Sequence, residues 1–207
     1  MRPLRYIPLV IVLLAMIPAG AFASKAEDAK TAFERGDYAT ALKLYQPLAN
    51  GGDPVAQFNV GRIYANGLGV YADDKKAVDW FQRAAKKKNV DAEYDLAEMY
   101  AFGRGVPRDD AEAVKWWKKA AEQGDLQSQY NLGLAYHDGR GVDRDIKVSL
   151  EWMKKAAEKG NPRAACALGH FYLTGDGVPK DPAQAQAWYS EAAKSKDSFA
   201  ATCTFQQ

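Results

Sequence analysis

Apolar residues return along this chain at helical spacing, and the spacing itself recurs. Ala56, Val60, Ile63 and Tyr64 fall on one side of a helix, because residues three and four apart share a face on a 3.6-residue period. Ala92, Leu96, Met99 and Tyr100 repeat that face 36 residues later. Tyr64, Tyr100, Tyr136 and Tyr172 form one series at this period, and Trp80, Trp116, Trp152 and Trp188 form another. The alanine pairs Ala84-Ala85, Ala120-Ala121, Ala156-Ala157 and Ala192-Ala193 form a third, so the chain is a tandem repeat. Gly67, Gly103, Gly139 and Gly175, followed by Gly69, Gly105, Gly141 and Gly177, cut each copy into two segments of helical length. Each unit is therefore predicted to be two helices joined by a turn.

The residues between these segments have the chemistry of helix ends. The first glycine of each pair suits the left-handed cap conformation that a side chain disfavours. Asp73, Asp109, Asp145 and Asp181 stand where a second helix needs an N-cap acceptor. Asp109 with Glu112 has capping-box spacing, while Asp53-Pro54, Asn161-Pro162 and Asp181-Pro182 put proline at a first helical position. Gly61, Gly133 and Gly169, with Ala97 in the same slot, keep one internal position small. A glycine there costs about 1 kcal/mol of helix propensity relative to alanine, so its recurrence points to a closely approaching neighbour helix. The four tryptophans recur in phase with the core alanines and are expected to pack between repeats. Trp117 lies outside that series and is the candidate for exposure.

The first residues break the pattern. Arg2 and Arg5 precede an apolar run from Ile7 to Ile17, then Pro18 and small residues ending in Ala21-Phe22-Ala23, which has the form of a signal peptide cleaved after Ala23. The run is shorter than the about 20 residues a membrane-spanning helix needs. The expected product is a soluble exported chain beginning at Ser24, periplasmic or secreted, with no membrane insertion after cleavage. Removing Arg2 and Arg5 from the 28 basic residues balances them against 26 acidic ones, which excludes the basic excess of a nucleic-acid binder. With 47% hydrophobic and 12% aromatic residues, the composition is that of an ordinary globular chain.

The pattern A-x-Y-x-L-G-x-x-Y-x-x-G-x-G-V-x-x-D-x-x-x-A-x-x-W-x-x-x-A-A-x-x-G runs from Ser128 to Gly160, with Tyr130, Leu132-Gly133, Tyr136, Gly139-Arg140-Gly141-Val142, Asp145, Trp152 and Ala156-Ala157 in place. Ser128 and Ser149 replace the alanines found at Ala92 and Ala113 in the preceding unit. This pattern resembles the Sel-one-like repeat, a branch of the tetratricopeptide-like superfamily. The resemblance implies an all-α fold, a right-handed α-solenoid of antiparallel helix pairs. On that plan residues 1–23 are the signal peptide, 24–52 an N-terminal helical hairpin cap, and 53–196 four repeats (53–88, 89–124, 125–160 and 161–196). Residues 197–207 form a C-terminal capping helix or tail over the last repeat. In the hairpin, Gly36-Asp37-Tyr38 is the turn and Pro47 is expected to kink the second helix.

Cys203 lies one residue beyond the position 36 residues after Cys166, near enough on a neighbouring helix for a disulfide. Two independent small buried residues are the other reading. Some extracellular members of the resembled family carry a cysteine pair in every repeat, and this chain does not. Catalytic and metal signals are sparse. The only histidines are His137 and His170, no register gathers zinc-ligand spacing, and neither a phosphate loop nor a G-x-S-x-G nucleophile is present. No cofactor is implied. Lys86-Lys87-Lys88, Lys118-Lys119 and Lys154-Lys155 fall at the ends of second helices, where cations complement the dipole on a solvated face.

In tetratricopeptide-like solenoids the first helices line a concave binding surface, and the resemblance carries that geometry to three rows here. Phe58, Tyr94, Tyr130 and Cys166 form the first, Arg62, Glu98, Leu134 and His170 the second, and Ala65, Ala101, His137 and Leu173 the third. The aromatic row is either exposed or partly core. Four units at about 10 Å each give a groove of about 40 Å, room for an extended segment of about 12 residues. The expected function is a non-enzymatic exported adaptor or regulator, a monomer binding a protein or peptide through Phe58, Arg62, Tyr94, Glu98, Tyr130, Leu134, His137 and His170. The alternative is a cell-wall-associated binder, for which the inward aromatics are the hint, or a hydrolase of the β-lactamase-like kind, implied only by some cysteine-rich relatives of that family.

Overall fold

A computed structural model of the chain describes residues 19–195 and Cys203, with side chains from Lys25 onward. Arg2, Arg5 and the Ile7–Ile17 run of the expected leader lie outside the described residues, as does the expected C-terminal cap apart from Cys203. The described residues form ten helices and no strands: α1 (Ala19–Glu34), α2 (Tyr38–Asn50), α3 (Pro54–Asn66), α4 (Asp74–Ala85), α5 (Val90–Phe102), α6 (Asp110–Glu122), α7 (Leu126–Asp138), α8 (Ile146–Glu158), α9 (Pro162–Thr174) and α10 (Pro182–Ala192). Each helix packs against its neighbours in the chain, pair after pair. None of the described helices is long and apolar enough to cross a membrane.

The helix boundaries follow from the caps. Asp73, Asp109, Asp145 and Asp181 each accept a backbone N–H in the first turn of α4, α6, α8 and α10, satisfying donors that have no intrahelical partner. The Asp109 carboxylate takes the Glu112 N–H at 2.9 Å, whereas the Glu112 side chain pairs with Lys115, so only half of the capping box forms. First helices open in the same way on Asp53, Asn89, Asp125 and Asn161. The tyrosine series has a backbone role as well: the carbonyls of Tyr64, Tyr100, Tyr136 and Tyr172 accept the N–H groups of Asp73, Asp109, Asp145 and Asp181. That bond fixes the entry of each second helix against the first. Pro47 is accommodated inside α2, which continues as helix to Asn50.

The second glycine of each turn answers a packing demand. Gly141 has φ +69°, and a Cβ on it would stand 2.2 Å from the Asp110 carbonyl oxygen of the preceding repeat, so only a residue without a side chain lets the turn sit on that helix start. The small slot inside each first helix faces the second helix of its own pair. A Cβ on Gly61, Gly133 or Gly169 would meet the side chains of Phe81, Met153 or Tyr189 at 2.6, 2.9 or 2.8 Å. Ala97 shares its core cluster with Trp117 in the same way.

The expectation for Trp117 is overturned: it is 6% exposed and among the most buried aromatics. The reason is register, because Phe81, Trp117, Met153 and Tyr189 are equivalent at the 36-residue period and all fill the groove beside the small slot. The tryptophan series itself is half-buried at the margins of the core clusters. Arg83, Lys119 and Lys155 lie over the rings of Trp80, Trp116 and Trp152.

Candidate protein-binding face

The first helices α3, α5, α7 and α9 turn one side into their second helices and leave the other less covered. Phe58, Tyr94, Tyr130 and Cys166 are all half-buried, midway between the two readings open from sequence. Arg62, Glu98 and Leu134 are half-buried and His170 is exposed, while of the third row Ala101 is buried and Ala65, His137 and Leu173 are half-buried. Apart from Ala65, Ala101 and Leu173, these residues divide into two cavities and a centre.

At the N-terminal end, a cavity of about 600 Å³ takes Phe58 and Arg62 together with Phe33, Glu34 and Tyr45 of the first hairpin. The Arg62 guanidinium lies 4.9 Å from the Phe33 ring centroid and 5.5 Å from that of Phe58, so cation–π attraction holds it across the two rings.

The centre is acidic and half-buried. Glu98 Oε1 accepts from the Trp117 indole N–H at 3.2 Å and the Asn131 amide at 3.0 Å, a bond that joins α5 to α6 and α7. Burial pushes the Glu98 carboxyl up, with the Trp117 N–H opposing. Asp95 is pushed up to about 6, chiefly by burial, with Arg62 pulling it back and Asp91 and Glu98 adding to the rise. Burial and the Glu98 charge raise the Tyr94 phenol to about 12, so it stays a neutral hydrogen-bonding group throughout the physiological range.

At the C-terminal end, Tyr130, Leu134, His137, His170, Cys166 and Cys203 line a cavity of about 480 Å³. Cys166 and Cys203 are joined in a disulfide with Cα atoms 5.8 Å apart, and that bond forms part of the wall. His137 stacks on Phe171 with centroids 5.0 Å apart. Its Nδ1 lies 2.7 Å from Asp138 and its Nε2 2.8 Å from Asp176. Burial alone pushes the imidazole down, but the two carboxylates outweigh it and its pKa lies above the ordinary 6.5. Arg144 completes the clasp, donating to the His137 carbonyl and standing 3.6 Å from Asp176.

Phe58 and Arg62 thus meet at one end, and Tyr130, Leu134, His137, His170 and the cysteines at the other. Tyr94 and Glu98 stand between them and line neither cavity. Sequence reasoning passed over Phe33, Asp95, Asn131 and Asp176. Asp95 and Asn131 occupy the position just after the aromatic row in successive units, where Asn59 and Ala167 are the other members, and that mostly polar row was a usable signal. Asp176 stands where the other turns carry Leu68, Arg104 and Arg140, a reversal of charge in a loop whose fold contacts are not written in the period. Among the described residues, no group of three or more His, Cys, Asp or Glu is placed to hold a metal ion.

The Sel1 repeat matches residues 32–53, 54–89, 90–125, 126–161 and 162–197. Among solved structures, the chain is similar to a protective antigen of uropathogenic Escherichia coli displaying an SLR fold, with 41% identity and a TM-score of 0.74. That alignment covers 77% of this chain and 34% of the antigen, so the chain spans about a third of that protein. A Sel1 repeat protein from Oxalobacter formigenes is 32% identical with a TM-score of 0.78, over 84% of this chain and 72% of the other. The immunity protein PA5088 of Pseudomonas aeruginosa, 22% identical with a TM-score of 0.56 over 84% of this chain and 67% of that one, shares the fold alone. A comparison with curated proteins returns no match. Four in-phase helix pairs, the capped turns and these likenesses agree: the chain belongs to the Sel1-repeat family.

Proposed function

We propose that this protein is a non-enzymatic interaction module, exported after removal of residues 1–23, which holds an extended segment of a protein partner along the concave, first-helix face of its solenoid. Sel1 repeats generally mediate protein–protein interaction, and that is the coarse basis of the reading. The observation that carries the finer statement is the pairing of two aromatic-lined cavities, about 600 and 480 Å³, on either side of the half-buried Tyr94, Asp95 and Glu98 on one helical face. Cavities that take side chains, separated by polar groups that fix orientation, suit an extended chain whose alternate residues point inward. Half-buried aromatic rings supply contact area at low entropic cost, the composition of interface hot spots. Export rests on the leader pattern of residues 1–23.

Affinity capture from the envelope and secreted fractions tests the reading, comparing the protein with a folded Arg62→Glu, Tyr94→Ala, Tyr130→Ala variant. A protein retained by the first and lost by the second supports the assignment. Equal retention by both removes it.

A further inference from the structure

A third cavity, about 570 Å³, lies between the end of α4, Glu93 of α5 and the C-terminal half of α6, and shares no lining residue with the other two. Three features converge on it. Lys88 is the one described non-glycine residue with positive φ, at 60°. Its equivalents at the 36-residue period are Gly52, Gly124 and Gly160, with φ of 92°, 101° and 91°. A lysine held where the other units use glycine carries backbone strain that the rest of the fold must offset, and such strain is retained where the side chain has a task. Glu93, 2% exposed, replaces the glutamines of equivalent positions 57 and 129 and accepts from Gln123 Nε2 at 2.5 Å. The Trp116 indole N–H is buried without an acceptor, while Lys119 Nζ lies 3.6 Å from the centroid of its ring.

We propose that this cavity binds a small organic oxyanion, a carboxylate or phosphate ester whose apolar or sugar body lies against Trp116. The groups facing the space decide the class. Lys86, Lys88 and Lys119 are exposed ammonium groups around it, against the Glu93 carboxyl at the floor and Glu122 at the rim. Gln123 donates to one oxygen of Glu93, and the remaining donors are the lysines, of which Lys88 and Lys119 also face that carboxyl, and the unpaired indole N–H. A ligand here must therefore bring acceptors and negative charge. Lys119, whose charge also faces Glu93, can swing off the indole and open the ring face to the ligand. The volume exceeds that of a bare ion, so an organic body on the indole is part of the fit.

Calorimetric titration of the purified chain with phenyl phosphate, benzoate and inorganic phosphate, beside tryptophan emission, tests the site. Phenyl phosphate and benzoate share a ring and differ in headgroup, so whichever binds more tightly identifies the source of the oxyanion. The expected result is saturable one-to-one binding of at least one aromatic anion, tighter than inorganic phosphate. Lys119→Ala should weaken it about tenfold or more. Lys88→Gly should weaken it similarly while raising the unfolding midpoint, because glycine is the residue the other units use there. That opposition between binding and stability is not expected of a lysine that is merely tolerated. No saturable binding up to about 10 mM, an affinity of about 2.7 kcal/mol, or unchanged binding in Lys88→Gly, overturns the proposal.

Discussion

A Cβ on Gly61 would stand 2.6 Å from two carbons of the Phe81 ring, and that contact sets how closely the two helices of a repeat approach. Phe81 is 1% exposed, and burying a ring of that size contributes about 2 to 3 kcal/mol. Gly61→Ala gains about 1 kcal/mol of helix propensity but forces a rigid, enclosed ring to move, an overpacking cost of about 1 to 3 kcal/mol. The steric term wins, and the variant is expected to unfold at lower urea with an unchanged m-value. An unchanged or higher midpoint would show that α3 and α4 separate freely.

Gln57 and Gln129 reach back to the carbonyls of Ala49 and Ala121 at 3.0 Å each, and Glu93 holds the corresponding place without a donor. Glu93→Gln restores the donor toward Ala85 and removes a buried carboxyl, for an expected gain of about 1 kcal/mol at neutral pH. Burial raises the Glu93 pKa above 4.5 and that of Asp95 from 3.8 to about 6. The folded chain therefore keeps these protons at pH values where the unfolded chain has lost them, and stability falls as pH rises through the raised values. Denaturation midpoints between pH 4 and 7 should be flatter in Glu93→Gln, and flatter again with Asp95→Asn added.

His137 shifts stability with pH in the same direction, although here the protonated form is the charged one. Its raised pKa means that the folded chain holds a proton on the imidazole more tightly, so the clasp with Asp138 and Asp176 contributes fully below about 6.5. The contribution is lost as pH rises through the folded value. The difference in melting temperature between the protein and His137→Leu is expected to shrink from pH 6 to pH 8.5. A pH-independent difference would mean that stacking on Phe171 accounts for all of it.

The Cys166–Cys203 bond closes a separation of 37 residues, a loop for which chain entropy gives about 3 to 4 kcal/mol of stabilisation. Thiol titration of the denatured, oxidised protein is expected to find no free thiol. Cys203→Ser should lower the unfolding midpoint and loosen the wall of the C-terminal cavity.

The helix pairs were legible because what sets them is local: Asp and Asn caps, Gly turns and the tyrosine, tryptophan and alanine series each repeat in phase. Trp117 was misplaced because it sits beside Trp116, and residue type drew the eye to the tryptophan series. The buried series is a position, held in turn by Phe81, Trp117, Met153 and Tyr189, four residues alike only in filling one space. The site was legible as rows and not as cavities. Phe33 reaches Arg62 from outside the 36-residue pattern, and Asp176 reaches His137 from a loop in the next repeat, contacts that depend on how units stack.

The most direct test of the central claim places a photo-crosslinking residue at position 94 on the first-helix face or at position 115 on the exposed side of α6. Irradiation in intact cells should join a partner to the position 94 variant and leave the position 115 variant without that adduct. The same adduct from position 115, or from neither position while the partner is still captured, would contradict binding along the first-helix face.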